Sequence, residues 1–335
     1  MTLRREILGG ANRVLGKFGV QLLPYREYEM MRKSYEGPDW ESPPAPPEAQ
    51  AVLRWDNPDL AALEARYAGH PAAAHTQWGK GQLRSTIDLT RFRGDNHYVH
   101  QVRFNPGEAV YFMTAYYVRD IDRLGLFGTL KEDGLFGAYT VRFQDGSLIS
   151  RDLLDSINQA NMIARVLGTT SGWRVLDIGA GYGRLAHRLA EGVAGAHVTC
   201  TDAVALSTFL SRFYLKFRGV DDRADVVALD EAATTLPQQP FDIVTNIHSF
   251  PECPKAAIGW WLDRLDAIAV KKLLIVPNRA DQFLSTEADG SHLDFMHLFE
   301  DHGWRHAHSE PIYAQSEVAQ RCALYRHFKF HVFER

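Results

Sequence analysis

The residues with the clearest chemical meaning in this sequence lie in one glycine-rich segment, Val175–Gly183, which reads VLDIGAGYG. Gly179, Gly181 and Gly183 alternate between a short apolar run and a run with helical periodicity. Glycines at such a junction let the backbone turn sharply and approach a ligand closely. An acid, Asp177, stands two positions before the first glycine. The segment therefore predicts a nucleotide-type ligand site at a strand–turn–helix junction.

Two ligand classes use such a segment, and the charges distinguish them. A nicotinamide or flavin site places glycine or alanine three positions after Gly181, so that a pyrophosphate can rest on the helix N-terminus. Arg184 stands at that position here. A carboxylate at Asp177 would repel a pyrophosphate, whereas it suits a ligand that carries a sulfonium and an ammonium group. The charges predict S-adenosylmethionine, and a purely structural turn is the alternative.

Acids further along the chain complete the predicted cofactor site. Asp202 lies 23 residues beyond Gly179, at the end of the second predicted strand, where a carboxylate can bond both ribose hydroxyls. Asp230 ends the third predicted strand and is expected to reach the adenine amino group, with Glu231 as the alternate. The whole predicted cofactor set is Asp177, Gly179, Ala180, Gly181, Gly183, Asp202, Ala203, Asp230, Glu231 and Asn246.

This combination of features resembles the class I methyltransferase fold, whose first motif reads acid-x-G-x-G-x-G after the first strand. The resemblance covers residues 166–335. Three further segments, Ser150–Ile157, Asn246–Glu252 and Val276–Asn278, are similar to the sugar O-methyltransferase family, and Arg13–Gly19 is similar to segments of glycan-modifying methyltransferases. The resemblance implies S-adenosylmethionine as cofactor and a sugar hydroxyl, on a glycan or a glycosylated metabolite, as methyl acceptor.

Methyl transfer to a hydroxyl is an in-line displacement that depends on positioning and on a base to remove the proton. The loop after the fourth predicted strand carries His248 and Glu252. We favour His248, because an ordinary histidine pKa makes it an effective base near neutral pH, and take Glu252 as second choice. The remaining candidates are Asp152, Glu287, Asp289, His292 or a residue of the N-terminal half. His248 serving only to order the loop is the alternative.

Residues 51–165 are predicted to form the acceptor side. Tyr117 is expected to stack on a sugar ring, and His97 and His100 to bond hydroxyls. The alternative, in which the aromatic residues are core and the polar ones surface, stays open. The resemblance implies that Arg151 and Asp152 close over the cofactor. Asn278 and His292 complete the predicted substrate set.

Other chemistries fit the sequence less well. Sites that methylate an amide or base nitrogen read Asn/Asp-Pro-Pro-aromatic after this strand, but Ile247 and His248 replace both prolines. A metal ion is not expected, because no compact set of acids accompanies Asn246. Three alternatives remain: a small phenol as acceptor, a carboxylate as acceptor, or a cofactor-binding scaffold without catalysis.

The elements that must position these residues alternate between strand and helix from Trp173 onwards. Repeated units of this kind predict an α/β fold with a mostly parallel, Rossmann-like sheet and helices on both faces. Two late strand candidates, 311–313 and 328–333, have no helix between them and predict a terminal antiparallel hairpin. A third strand is predicted at 226–229. The region before residue 166 is expected to be mixed and largely helical.

Composition limits the organisation and the partners. The chain has 335 residues, 45% hydrophobic and 23% charged, with a net charge of −4, so a nucleic-acid partner is not expected. Four regions are predicted: a basic amphipathic segment at 1–37, a proline-rich extended linker at 38–50, the acceptor region at 51–165 and the methyltransferase domain at 166–335. Residues 1–23 are expected to contact a membrane surface, their own domain or a second subunit. We expect a cytoplasmic protein with reduced thiols and no spanning helix.

Overall fold

The structure is a computed structural model, and it describes residues 42–74, 76–94, 98 and 108–335. The predicted basic segment 1–37 lies outside the described residues, as do His97 and His100. The membrane or subunit contact of residues 1–23 and the hydroxyl-binding role of the two histidines therefore stay predictions.

The described chain folds into nine strands and twelve helices. The strands are β1 (Val141–Arg142), β2 (Leu148–Ile149), β3 (Arg174–Ile178), β4 (His197–Thr201), β5 (Ala224–Val226), β6 (Ile243–Ile247), β7 (Lys272–Val276), β8 (Arg305–Pro311) and β9 (Lys329–Glu334). The helices are α1 (Pro47–Val52), α2 (Pro58–Tyr67), α3 (Lys80–Thr86), α4 (Glu108–Ile121), α5 (Leu126–Thr129), α6 (Arg151–Leu167), α7 (Arg184–Gly192), α8 (Ala205–Phe217), α9 (Leu229–Thr235), α10 (Lys255–Asp266), α11 (Met296–Asp301) and α12 (Glu317–Cys322). Among the described residues, no helix is long and apolar enough to cross a membrane.

Seven strands form one sheet in the order β5-β4-β3-β6-β7-β9-β8. The first five are parallel, and β9 runs antiparallel to both β7 and β8. Apolar runs such as Val175–Ile178 are buried on both faces, as the strands of a parallel sheet must be. The chain leaves β3 toward β4 on one side and returns to β6 on the other. This reversal opens a crevice at the carboxyl ends of β3 and β6, where ligands bind in such sheets. The predicted α/β fold with a terminal antiparallel hairpin is confirmed.

The region before the sheet covers both of its faces. Residues 45–92 and Phe136 pack with α8, α9 and α10 in one hydrophobic core, and the other buried apolar residues of 111–163 pack with α7 and the opposite face in a second core. The predicted helical character of this region is confirmed. The described part of this region has no separate core, because its apolar side chains are buried against the layers of the sheet domain.

Three predicted boundaries are wrong. The third sheet strand ends at Val226 rather than residue 229, since Leu229 begins α9. The hairpin strand begins at Arg305 rather than Pro311. The extended linker is shorter than predicted because Pro47 starts α1, where its fixed φ and missing N–H suit the first turn of a helix.

Candidate active site

A cavity of about 450 Å³ opens at the carboxyl ends of β3, β4 and β6. Its wall combines the glycine-rich turn, the loops after β4, β6 and β7, the start of α6, and two pieces of the N-terminal region. Predicted site residues in the wall are Asp177, Gly179, Ala180, Gly181, Asp202, Ala203, His248, Glu252, Arg151, Asp152 and Asn278. One cavity therefore gathers eleven side chains or backbone positions that the sequence marked separately.

The glycine-rich turn requires its glycines for two different reasons. Gly179, Gly181 and Gly183 all have positive φ, which side chains rarely adopt. At Gly179 an added Cβ would lie only 1.9 Å from the Ser249 hydroxyl oxygen, so this glycine lets the loop after β6 close on the turn. Gly183 does not line the cavity. It begins α7, where a Cβ would crowd Ser211 of α8 at 2.9 Å.

Two carboxylates face the cavity from adjacent strands. Asp177 is 3% exposed, and its Oδ1 accepts a hydrogen bond from the Thr245 hydroxyl at 2.7 Å. Asp202 accepts hydrogen bonds from the backbone N–H groups of Gly181 at 2.9 Å and Val204 at 2.8 Å. Burial raises the pKa of each to about 6. The pair therefore carries negative charge at neutral pH at a desolvation cost, which a cationic ligand would relieve.

Arg184, which spoiled the dinucleotide motif, also lines the cavity, beside these carboxylates. Its guanidinium donates to neutral partners on α6, to Ser156 Oγ at 2.8 Å and Gln159 Oε1 at 2.9 Å. It lowers the pKa of Asp177, although less than burial raises it. The cavity thus presents separate negative and positive positions, as a ligand with an ammonium, a sulfonium and a carboxylate requires.

Asp152 joins the cavity wall to a buried ionic network. Its Oδ2 accepts from Arg93 Nε at 3.2 Å and from the Tyr182 hydroxyl of the glycine-rich turn. Arg93 is fully buried and also donates to Glu132 Oε2 at 2.8 Å. Arg93, Arg188 and Ser150 hold the pKa of Glu132 well below its usual range against the effect of burial. The N-terminal region is therefore fixed to the glycine-rich turn by ionic groups that are buried away from solvent.

Glu252 lies in the cavity wall between the N-terminal region and the loop after β7. Trp78 Nε1 donates to its Oε2 at 2.6 Å, and the Asn278 side chain also hydrogen-bonds the carboxylate. Burial raises the pKa of Glu252 to about 7, more than these two donors lower it. A carboxyl group with this pKa exchanges a proton readily at neutral pH, which is the property that a general base needs.

His248 lies in the same cavity wall, but its pKa is shifted in the opposite direction from that of Glu252. Its backbone has a φ of 70°, rare for a non-glycine residue, and its ring packs on Phe328 with centroids 4.4 Å apart. Its Nδ1 is shielded from solvent, and no residue that the structure describes hydrogen-bonds it. Burial and the nearby Arg151 and Arg184 lower its pKa to about 3. The imidazole is neutral but only weakly basic. The comparison of the two pKa values therefore favours Glu252 over His248 as the base.

Two acids predicted to read the adenine lie outside the cavity. Asp230 is in the first turn of α9 because β5 ends earlier than predicted. Arg66 of α2 donates to both of its oxygens, at 2.8 Å each, and to Glu231 Oε1 at 2.6 Å. The side chains therefore point to α2 and not to the cavity.

The remaining predicted residues have structural partners elsewhere. Asn246 is buried and donates to the Ile178 carbonyl at 2.9 Å, so it joins β6 to the glycine-rich turn rather than lining the cavity. Tyr117 is in the core against Tyr313, with ring centroids 5.0 Å apart, as the alternative interpretation of the aromatic residues expected. His292 is exposed on a loop and hydrogen-bonds the Ser285 carbonyl at 2.7 Å.

The comparison of sequences identifies the central part of the chain. The family described as "Methyltransferase domain" matches residues 175–268, which run from β3 through α10. The sheet order and the acidic, glycine-rich cavity agree with this match. Residues 175–268 carry a methyltransferase domain, set in a Rossmann-like sheet.

Relatives of the methyltransferase domain include the ubiquinone biosynthesis O-methyltransferase of Bordetella bronchiseptica, which is 36% identical over 106 residues. The match covers 31% of this chain and 43% of that relative, so the chain spans less than half of its length. A methyltransferase structure from Aquifex aeolicus is 17% identical, with 52% of this chain and 88% of that chain covered and a TM-score of 0.38. The Synechocystis magnesium protoporphyrin IX methyltransferase with bound S-adenosylmethionine is 16% identical, with 66% and 97% covered and a TM-score of 0.40.

Several cavity residues that frame the methyltransferase domain carry no sequence signal. Trp78 and Tyr98 come from the N-terminal region, and Tyr325, His327 and Phe328 come from the turn before β9. Their contribution depends on contacts across more than a hundred residues of chain, which no local motif encodes. Among the described residues, no group of three or more His, Cys, Asp or Glu side chains is arranged to hold a metal ion.

Proposed function

We propose that this chain is an S-adenosylmethionine-dependent O-methyltransferase that transfers a methyl group to a sugar hydroxyl, with Glu252 as the general base. The observation that carries the proposal is the Glu252 carboxyl in the cavity wall, which burial brings to a pKa of about 7. A hydroxyl acceptor needs a base as the bond to carbon forms, and a group titrating near neutral pH supplies one.

The side chains of the cavity divide the work. When bound, S-adenosylmethionine would supply an electrophilic methyl carbon on its sulfonium sulfur, which would leave as the neutral thioether of S-adenosylhomocysteine. Asp177 and Asp202 offer negative charge to its cationic and ribose groups, and Arg184 offers positive charge to its carboxylate. Glu252 takes the proton from the acceptor hydroxyl at a carboxylate oxygen, and Trp78 and Asn278 hold the carboxylate in one orientation.

The sugar acceptor is supported by sequence similarity and by an aromatic wall. The segments Ser150–Ile157, Asn246–Glu252 and Val276–Asn278, which resemble the sugar O-methyltransferase family, each contribute residues to the cavity. In the cavity wall, the rings of Tyr325 and Phe328 stack with their centroids 5.4 Å apart and their planes at 6°. Aromatic side chains in a cavity wall suit the apolar side of a sugar ring, with polar groups such as Asn278 for its hydroxyls.

A phenolic hydroxyl is the second candidate. The relative from Bordetella bronchiseptica is named as an O-methyltransferase of ubiquinone biosynthesis, and the same aromatic wall accepts a flat ring. Carboxylate acceptors and a non-catalytic scaffold lack a specific supporting contact. Neither methylation of a carboxylate nor a scaffold role requires a general base such as the Glu252 carboxyl.

The test is to supply purified protein with S-adenosylmethionine and matched sets of saccharides and phenols, and to measure S-adenosylhomocysteine formation. We expect turnover with saccharides, a loss of about a hundredfold or more in Glu252→Gln, and normal cofactor binding in that variant. The exposed Glu317→Gln is the matched control and should behave as wild type. Turnover only with phenols would replace the sugar by the second candidate. Full activity in Glu252→Gln would refute its role as base.

The partners and location stay at the level of proposals. We propose a saccharide or glycosylated small molecule as partner and no nucleic acid, in keeping with the net charge of −4. Cytoplasmic location, membrane contact through residues 1–23 and a homodimer are likewise proposed from the sequence alone.

A further inference from the structure

One end of the cavity is apolar and lies next to the ribose-binding acid. Val204 follows Asp202 by two positions, and Phe250, Cys253 and Trp261 line the same cavity from the elements after β6. Trp78 and Tyr98 of the N-terminal region complete this end, with their rings edge to face and centroids 5.3 Å apart. We call these six side chains the aromatic end of the cavity.

The acid that would read the adenine in this fold is already engaged elsewhere. Arg66 holds both oxygens of Asp230 and one of Glu231. The neighbouring Tyr67 hydroxyl accepts the Leu229 N–H at 2.7 Å, so α2 also covers the start of α9. Although residues 224–235 are all described, none of them lines the cavity. The corner after β5 is thus closed by the N-terminal region.

We propose that Trp78 and Tyr98 bind the adenine ring of the cofactor and take over the part that Asp230 and Glu231 were expected to play. The inference rests on the proposed function, since it needs S-adenosylmethionine as ligand. It assigns cofactor recognition to a region outside residues 175–268.

Both rings are held where such a role requires them. The Trp78 indole donates to Glu252 at 2.6 Å, and the backbone N–H of Gln77 donates to the Glu252 carbonyl at 3.1 Å. The Tyr98 hydroxyl hydrogen-bonds Ser207 Oγ, and Ser207 in turn hydrogen-bonds Asp202. The two aromatic residues are therefore tied to the acid expected to bind the ribose and to the loop after β6. A stacked aromatic side chain typically strengthens the binding of a base by about tenfold or more.

The experiment is calorimetric titration of the full chain with S-adenosylhomocysteine and with its inosine analogue, which replaces the adenine amino group by a carbonyl oxygen. We expect Trp78→Leu to weaken S-adenosylhomocysteine binding by about tenfold or more, and Trp78→Phe, which keeps a ring, to weaken it by less than about threefold. Asp230→Asn should leave the preference for adenine over inosine unchanged. Trp55→Leu, a tryptophan of the same region outside the cavity, controls for general loosening.

The outcomes separate this inference from the proposed function. If wild-type protein fails to bind S-adenosylhomocysteine, the proposed function falls and this inference falls with it. Should wild type bind while Trp78→Leu binds equally well, the inference alone is overturned. Loss of the adenine preference in Asp230→Asn would also overturn it and return the recognition to the corner after β5.

Discussion

The affinity of this protein for S-adenosylmethionine should fall steeply as the pH drops below about 6. Asp177 and Asp202 face the cavity with pKa values that burial raises to about 6, well above the ordinary range of an aspartate. A cationic ligand stabilises the ionised carboxylates, so binding lowers both pKa values and affinity rises as pH rises through this range. The experiment is therefore to titrate the protein with S-adenosylmethionine at a series of pH values from about 7.5 down to about 5.

The size of the effect follows from the fraction of ionised carboxylate. At about pH 5, a group with a pKa near 6 is protonated about ten times more often than it is ionised. If only the ionised form accepts the ligand, each carboxylate weakens the apparent affinity about tenfold, and the two together weaken it about a hundredfold. At about pH 7.5 the correction vanishes. Binding at the lower pH should release nearly two protons.

Calorimetry in buffers of different ionisation enthalpy measures both the affinity and the proton release. Asp202→Asn removes one of the two titrating groups, so its remaining affinity should fall only about tenfold over the same range. Circular dichroism at each pH shows that the fold is intact. An affinity constant within about twofold from pH 7.5 to 5 would refute the claim that these buried carboxylates receive the ligand's positive charge.

Three further predictions concern the side chains around the cavity. Trp78→Phe removes the donor that lowers the pKa of Glu252, so the acid limb of the kcat/KM profile should move up by about half a pH unit; an unmoved limb would contradict this. Gly179→Ala places a Cβ 1.9 Å from a hydroxyl oxygen at a φ of 74°. It should lower the free energy of unfolding measured in urea by about 2 kcal/mol and also weaken cofactor binding. A variant with wild-type stability and affinity would exclude that clash. Arg93→Met removes the cation that the buried Glu132 and Asp152 share and should cost about 3–5 kcal/mol of unfolding free energy, whereas Arg54→Met, in an exposed ion pair, should leave the unfolding free energy close to that of wild type. Equal losses in these last two variants would count against the buried network.

The parts of the site that could be predicted from the sequence are those that local order determines. Asp177 lies near the end of β3, Gly179 and Asp202 directly follow β3 and β4, and the carboxyl ends of neighbouring parallel strands meet at one edge of a sheet. Their chain positions therefore bring them into one cavity, whatever the rest of the fold does. The sulfonium argument likewise needs only the acid before the glycines.

The parts that failed depend on distant partners. The apolar run at 226–229 does not distinguish a buried strand from the start of a helix. The sequence therefore predicts Asp230 at the end of β5, whereas it lies in the first turn of α9. Its partner Arg66 is 164 residues away. The preference for His248 used an ordinary histidine pKa, but burial beside Arg151 and Arg184 reverses the comparison with Glu252. Trp78 lies 174 residues from that carboxylate, a contact that only the fold creates.

The division of the N-terminal region between both faces of the sheet has a consequence for how the protein is made. The Tyr67 hydroxyl hydrogen-bonds Leu229, which is synthesised 162 residues later, and the Thr114 hydroxyl hydrogen-bonds Leu324, which is synthesised 210 residues later. A ribosome therefore exposes the apolar side chains of residues 45–163 well before the strands that cover them exist. Long-range contacts of this kind slow folding and expose intermediates to aggregation. Nascent chains should need a holding chaperone until Leu324 has emerged, and yield should rise when translation is slowed by cold.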